Sequence, residues 1–123
     1  MQQPQIIKLT KAEEQIMQII WKLEQGFLKD ILDQTTEPKP HSNTVATILK
    51  ILIDKGFVAA KVYGRSHLYT ALVSKDNYAK ETLTQLVDGY FEGNFTSAVS
   101  FMVHKKNISI KDLELLLKQL KDK

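Results

Sequence analysis

The sequence predicts a mainly α chain with one small β-hairpin, the hairpin lying in the first half and helices alone filling the second. Three observations carry this. Apolar residues recur at helical spacing over most of the length, as at Val45, Ile48, Leu49 and Leu52. The segments Phe57 to Val62 and His67 to Val73 are instead rich in β-branched and aromatic residues, with Tyr63-Gly64-Arg65-Ser66 as a turn between them. Beyond Ser74 no strand pattern returns.

The first helix is expected from about Thr10 to Glu24. Thr10-Lys11-Ala12-Glu13 fits a capping box, in which Thr10 caps a free amide and Glu13 reaches back, and Ile16, Ile19, Ile20 and Leu23 follow on one face. Gly26 is read as its end. Leu28 to Gln34 supports a second, short helix, which Pro38 and Pro40 prevent from continuing. A third helix opens at Ser42, read as its N-cap, and stops at Lys55-Gly56, where glycine can take a left-handed conformation.

The third helix buries Val45, Ile48, Leu49 and Leu52, so Asn43, Thr44, Thr47 and Lys50 occupy its other side. Three helices followed by a hairpin are the element order of a winged helix-turn-helix, whose third helix enters the major groove of DNA. On that reading Asn43, Thr44 and Thr47 face base edges. Asn can bond adenine N6 and N7 together, and a Thr methyl can meet that of thymine, so the half-site should contain A·T pairs. Ser42, Lys50, Lys61, Arg65 and His67 are then phosphate contacts.

The charge distribution agrees with this reading. Lys39, Lys50, Lys55, Lys61 and Arg65 stand against Asp54 alone, so residues 39–67 hold +4 of a net charge of +3 and the rest of the chain holds −1. A local excess of cations attracts phosphate through counterion release.

Residues 74–123 form the second of two expected domains, after a first over residues 1–73. Its three helices are read from about Asp76 to Glu92, from Phe95 after Gly93, and behind the cap Ser109-Ile110-Lys111-Asp112. They place Leu83, Leu86 and Tyr90, then Val99 and Met102, then Leu113, Leu116, Leu117 and Leu120 on apolar faces. About fifty residues bury little surface alone, and a two-fold protein matches a palindromic DNA site. The expectation is a helical dimerisation domain packed on a second copy of itself.

Other classes find little support. With 43% hydrophobic and 25% charged residues the composition is that of an ordinary globular chain. No apolar run approaches the ~18 residues of a membrane span, and Met1-Gln2-Gln3-Pro4 is not the basic start of a secretory signal, so a cytoplasmic protein without membrane insertion is expected. There is no cysteine, hence no disulfide or thiolate site, and His41, His67 and His104 lack metal-ligand spacing. Neither a nucleophile elbow nor a phosphate-binding glycine loop is found, and neither an enzyme nor a cofactor is expected.

Leu9-Thr10-Lys11-Ala12-Glu13, Ile19-Ile20-Trp21, Thr44-Val45-Ala46-Thr47-Ile48-Leu49, Lys55-Gly56-Phe57-Val58 and Gly93-Asn94-Phe95 together resemble the penicillinase-repressor family, which includes the methicillin-resistance and copper-operon repressors. The similarity runs in order from about Ile6 to Leu120. It implies a homodimeric transcriptional repressor, with a winged helix on operator DNA and a helical dimerisation domain. It also implies release when a membrane-bound sensor protease triggers cleavage, as in antibiotic-resistance regulation.

In the β-lactam branch of that family the cut lies in the second helix of the dimerisation domain, a position that falls near Phe101-Met102 here, where Ser100, Phe101 and Met102 replace the usual Asn-Phe pair. Thr44 matches the family's base-reading residue, while Ala46 stands where relatives often carry arginine. The cysteine-rich metal switch of the copper branch is excluded. Two other readings share the fold, a winged helix that senses a small ligand and one that docks a protein.

Overall fold

A computed structural model describes residues 8–105 and 107–121. The order is α1 (Lys11–Leu23), β1 (Gln25–Phe27), α2 (Leu28–Asp33), α3 (Ser42–Asp54), β2 (Val58–Tyr63), β3 (Ser66–Ala71), α4 (Lys75–Phe91), α5 (Phe95–His104) and α6 (Ile110–Lys121). The predicted fold class is the observed one, mainly helical with a small antiparallel sheet. The described chain divides into two units, one running to Glu81 and one starting at Thr82.

In the first unit α1 begins as its sequence dictates. Glu13 N–H donates to Thr10 Oγ1 and Thr10 N–H to Glu13 Oε1, both at 3.2 Å, which closes the capping box. Its end differs from expectation. Glu24, at φ 71°, turns the chain, and Gly26 lies in the strand β1, which the sequence reading did not anticipate. A Cβ on Gly26 would lie 3.3 Å from Leu23 Cδ1, so glycine allows the close approach of strand to helix.

The sheet order is β1-β3-β2, with Phe27 opposite Leu68 and the β2–β3 hairpin closed by Tyr63 opposite Ser66. Gly64 takes φ 60° at the first central position of the two-residue loop, where few other residues fit. Both strands fall within two residues of their expected bounds.

The core gathers Ile16, Met17 and Ile20 of α1, Ile31 of α2, Val45, Leu49 and Leu52 of α3, and Phe57 and Val58. Tyr78 completes it. Its ring lies 5.8 Å from that of Trp21 and 5.6 Å from that of Phe57, and its hydroxyl accepts the Leu9 N–H at 3.0 Å. The expected boundary at Ser74 precedes this residue, whereas the first turns of α4 stay with the first unit because they bring Tyr78 to its core.

In the second unit, Glu92 and Gly93 take φ 53° and 79° and end α4, and Asn94 Oδ1 caps α5 by accepting from Ser97 N–H at 3.1 Å. Ser109 and Asp112 form the capping box of α6, at 3.0 and 3.1 Å. Val87 is fully buried. Most other large apolar side chains of this unit remain open to solvent.

Candidate DNA-binding surface

The third helix, α3, starts one residue away from the expected position. Its N-cap is His41, whose Nδ1 accepts the Asn43 N–H at 3.1 Å, and Ser42 is the first helical residue. Ser42 is therefore not the cap, because the Thr44 and Val45 amides that its hydroxyl would accept already donate to the His41 carbonyl, at 3.0 and 3.2 Å. It remains exposed at the helix N-terminus, where the positive end of the helix dipole favours an anion.

At 100° per residue, Asn43, Thr47 and Lys50 point away from buried Val45, Leu49 and Leu52. All three are exposed, as is Thr44 on the flank. The Thr47 hydroxyl donates to the Asn43 carbonyl at 2.8 Å, a bond back to the preceding turn that fixes its rotamer. Two further residues share this side. Ile51 is 37% exposed, and Asp54 sets a carboxylate near the C-terminal end of the helix. Ile51 was legible as an apolar residue lying off the buried stripe.

The positive patch is smaller than the count along the chain. Lys55 Nζ lies 2.5 Å from Glu13 Oε1 and is neutralised there. Lys39 Nζ donates to the carbonyls of Leu32 and Thr35, both at 3.1 Å, and so caps the end of α2. Lys50, Lys61 and Arg65 are the cations left on α3 and the hairpin.

Burial alone would push the Glu13 carboxyl up. The hydrogen bond from Lys55, those from the Thr10 backbone and hydroxyl, and the Lys55 charge outweigh it, so its pKa lies below the ordinary value.

The hairpin separates two of the expected phosphate contacts. Strand alternation places Lys61, Tyr63 and Leu68 on one face, and Val62, His67 and Tyr69 on the other. Lys61 Nζ sits 5.5 Å from the centre of the Tyr63 ring, which meets Phe27 edge-on at 6.1 Å. Strand β1 thus braces the face that carries Lys61, while His67 lies across the sheet beside Tyr69, with ring centres 6.4 Å apart. Arg65 occupies the tip between the two faces.

Among the described residues no group of His, Asp or Glu is placed to hold a metal ion, and no helix is long and apolar enough to cross a membrane.

An exposed polar helix beside a basic-tipped hairpin, both set on a three-helix core, defines a winged-helix DNA-binding regulator. The family described as penicillinase repressor matches residues 9–122, and the chain belongs to it. It is 26% identical over 110 residues to the methicillin resistance regulatory protein MecI of Staphylococcus aureus, a match covering 89% of each chain. The penicillinase repressor of Bacillus licheniformis is 22% identical over 118 residues, covering 95% of this chain and 92% of the relative.

Among solved structures, the DNA-binding domain of the repressor BlaI superposes with a TM-score of 0.53 at 25% identity. That match covers 62% of this chain and 94% of the BlaI domain. The protein is accordingly a transcriptional repressor that binds DNA, and not an enzyme.

Proposed function

We propose that the protein represses transcription as a homodimer on a palindromic operator, and that proteolysis triggered by a membrane-bound sensor relieves repression. The carrying observation is the apolar surface of the second unit. Leu83, Leu86 and Tyr90 of α4, Val99 and Met102 of α5, and Leu116, Leu117 and Leu120 of α6 are all exposed, Tyr90 to 78% and Leu120 to 58%, with Leu113 half-buried beside them. A large exposed apolar surface marks an interaction site, and a second copy is the partner that gives two winged helices on one DNA. Ile110 and Leu115 add to it, although the sequence reading did not include them.

On the DNA, Asn43, Thr44 and Thr47 read base edges, and Ser42, Lys50, Lys61, Arg65 and His67 meet phosphates. Lys61 and His67 reach different phosphates, since they lie on opposite faces of the hairpin. Selection of fragments from the source genome by the purified protein tests this reading. Recovery of a palindrome with half-sites about one or two helical turns apart is the expected result. Sequence-blind binding lost at modest salt would overturn it.

We assign relief by cleavage to the neighbourhood of Phe101 and Met102 on α5, where Phe101 is exposed outside the proposed dimer face. The relatives' names tie two of them to methicillin resistance and to penicillinase. Incubation with the cognate sensor under induction should yield two fragments separated near these residues. An intact chain under induction would remove proteolysis from the mechanism.

A further inference from the structure

We propose that the cleft bounded by α1, the segment joining α2 to α3, and the N-terminal half of α3 binds a small, uncharged, largely apolar ring compound. The cleft encloses about 470 Å³, within the range of small-molecule sites. Ile16, Val45 and Ile48 supply an apolar lining, and Gln15, Gln34 and Thr44 add neutral donors and acceptors.

Among the described residues, not one that lines it is charged, in a chain of which a quarter is charged. An ion would enter without a counter-charge, at a desolvation cost nothing in the lining offsets, so the charge state of the ligand follows from the lining. The lining offers a phosphate or a carboxylate no cation among the described residues, since Lys22 and Lys39, which touch lining residues, already donate to Gln34 Oε1 at 3.3 Å and to the Thr35 carbonyl at 3.1 Å. Thr44 belongs both to this wall and to the exposed side of α3, so an occupied cleft and bound DNA compete for one side chain. The site lies wholly within the first unit and does not depend on the dimer.

The test titrates the full-length protein with N-phenyl-1-naphthylamine, a neutral fluorophore, and in parallel with 1-anilinonaphthalene-8-sulfonate, the same rings bearing a negative charge. Saturable binding of one neutral probe per chain is expected, with the sulfonate at least about tenfold weaker. Ala12→Trp fills the cleft from an exposed position on α1, and Gln18→Glu, also exposed, sets a charge on its wall. Each should weaken the neutral probe at least about tenfold, whereas Leu116→Asp in the second unit should leave it unchanged.

Bound probe should also raise the Kd for duplex DNA. Absence of saturable binding, equal affinity for both fluorophores, survival of binding in both cleft variants, or its loss in Leu116→Asp would each overturn the proposal. Because the probe is read without DNA, its failure is distinct from that of the repressor reading.

Discussion

Lys55, at the C-terminal end of α3, donates to the same carboxylate oxygen of Glu13 that accepts the Thr10 amide at the start of α1. One oxygen thus joins two helix ends. A carboxylate near a helix N-terminus and an ammonium near a C-terminus each suit the local dipole, and the pair ties the far end of α3 to α1. Glu13→Gln keeps a group able to cap Thr10 but removes the charge opposite Lys55. Because Lys55 is partly exposed, the expected loss is modest, roughly 1–2 kcal/mol in chemical denaturation at neutral pH.

The same pair gives stability a pH dependence of known sign. The Glu13 pKa is lowered on folding from an ordinary value of 4.5. The unfolded chain therefore takes up the proton first as pH falls. The contribution is complete above the unfolded value and drains away as pH drops through the folded one. The difference in Tm between the parent and Glu13→Gln should hold constant from about pH 7 to about pH 6 and shrink below about pH 4.5. A difference that grows in acid would mean the carboxylate is not held by Lys55.

Tyr78 holds the start of α4 to the core of the first unit through its hydroxyl. Tyr78→Phe keeps the ring contacts with Trp21 and Phe57 and leaves the buried Leu9 N–H without its acceptor. A cost of about 1–3 kcal/mol is expected in urea denaturation. An unchanged midpoint would show that water replaces the phenol.

Base reading and phosphate contact separate by experiment. Asn43→Ala should reduce discrimination at one base pair by roughly 1–3 kcal/mol while leaving the salt dependence intact. If competition against all single-base operator variants shows no position relaxed, Asn43 does not read a base.

Lys50→Gln, Lys61→Gln and Arg65→Gln should instead weaken binding to every sequence alike. Each should lower the slope of log K against log salt by about 0.9. Lys55→Gln serves as the contrast, because its ammonium is held by Glu13: it should lower stability and leave that slope unchanged.

The joint change Leu116→Asp, Leu117→Asp places two charges on the exposed face of α6, where the side chains are 50% and 55% exposed. Sedimentation should show monomers, and operator affinity should fall steeply because a second linked winged helix no longer raises the effective concentration. The unfolding of the first unit should be unaffected. A dimer that survives both changes would move the interface to another face.

The helices, the hairpin and two of the caps were legible in the sequence because they depend on neighbours a few residues apart. Thr10 with Glu13 and Ser109 with Asp112 need a spacing of three, and Gly64 needs only its own missing side chain. The sides of α3 followed from the helical period, which is why Asn43, Thr44, Thr47 and Lys50 were found together.

Tertiary structure decided what distant residues bring together. β1 exists as a strand because residues 25–27 pair with residues 68–70, and Phe27 then supports Tyr63 beside Lys61. Glu13 and Lys55 are 42 residues apart and Leu9 and Tyr78 are 69 apart, so no local pattern shows that one pair removes a cation from the positive patch and the other draws the start of α4 into the core. Strand register set Lys61 and His67 on opposite faces of the hairpin, and the packing of α1 against α3 opened the uncharged cleft beside Thr44. Local spacing specifies backbone hydrogen bonds within an element, whereas the neutralisation of a charge or the shape of a cavity depends on which elements fold against each other.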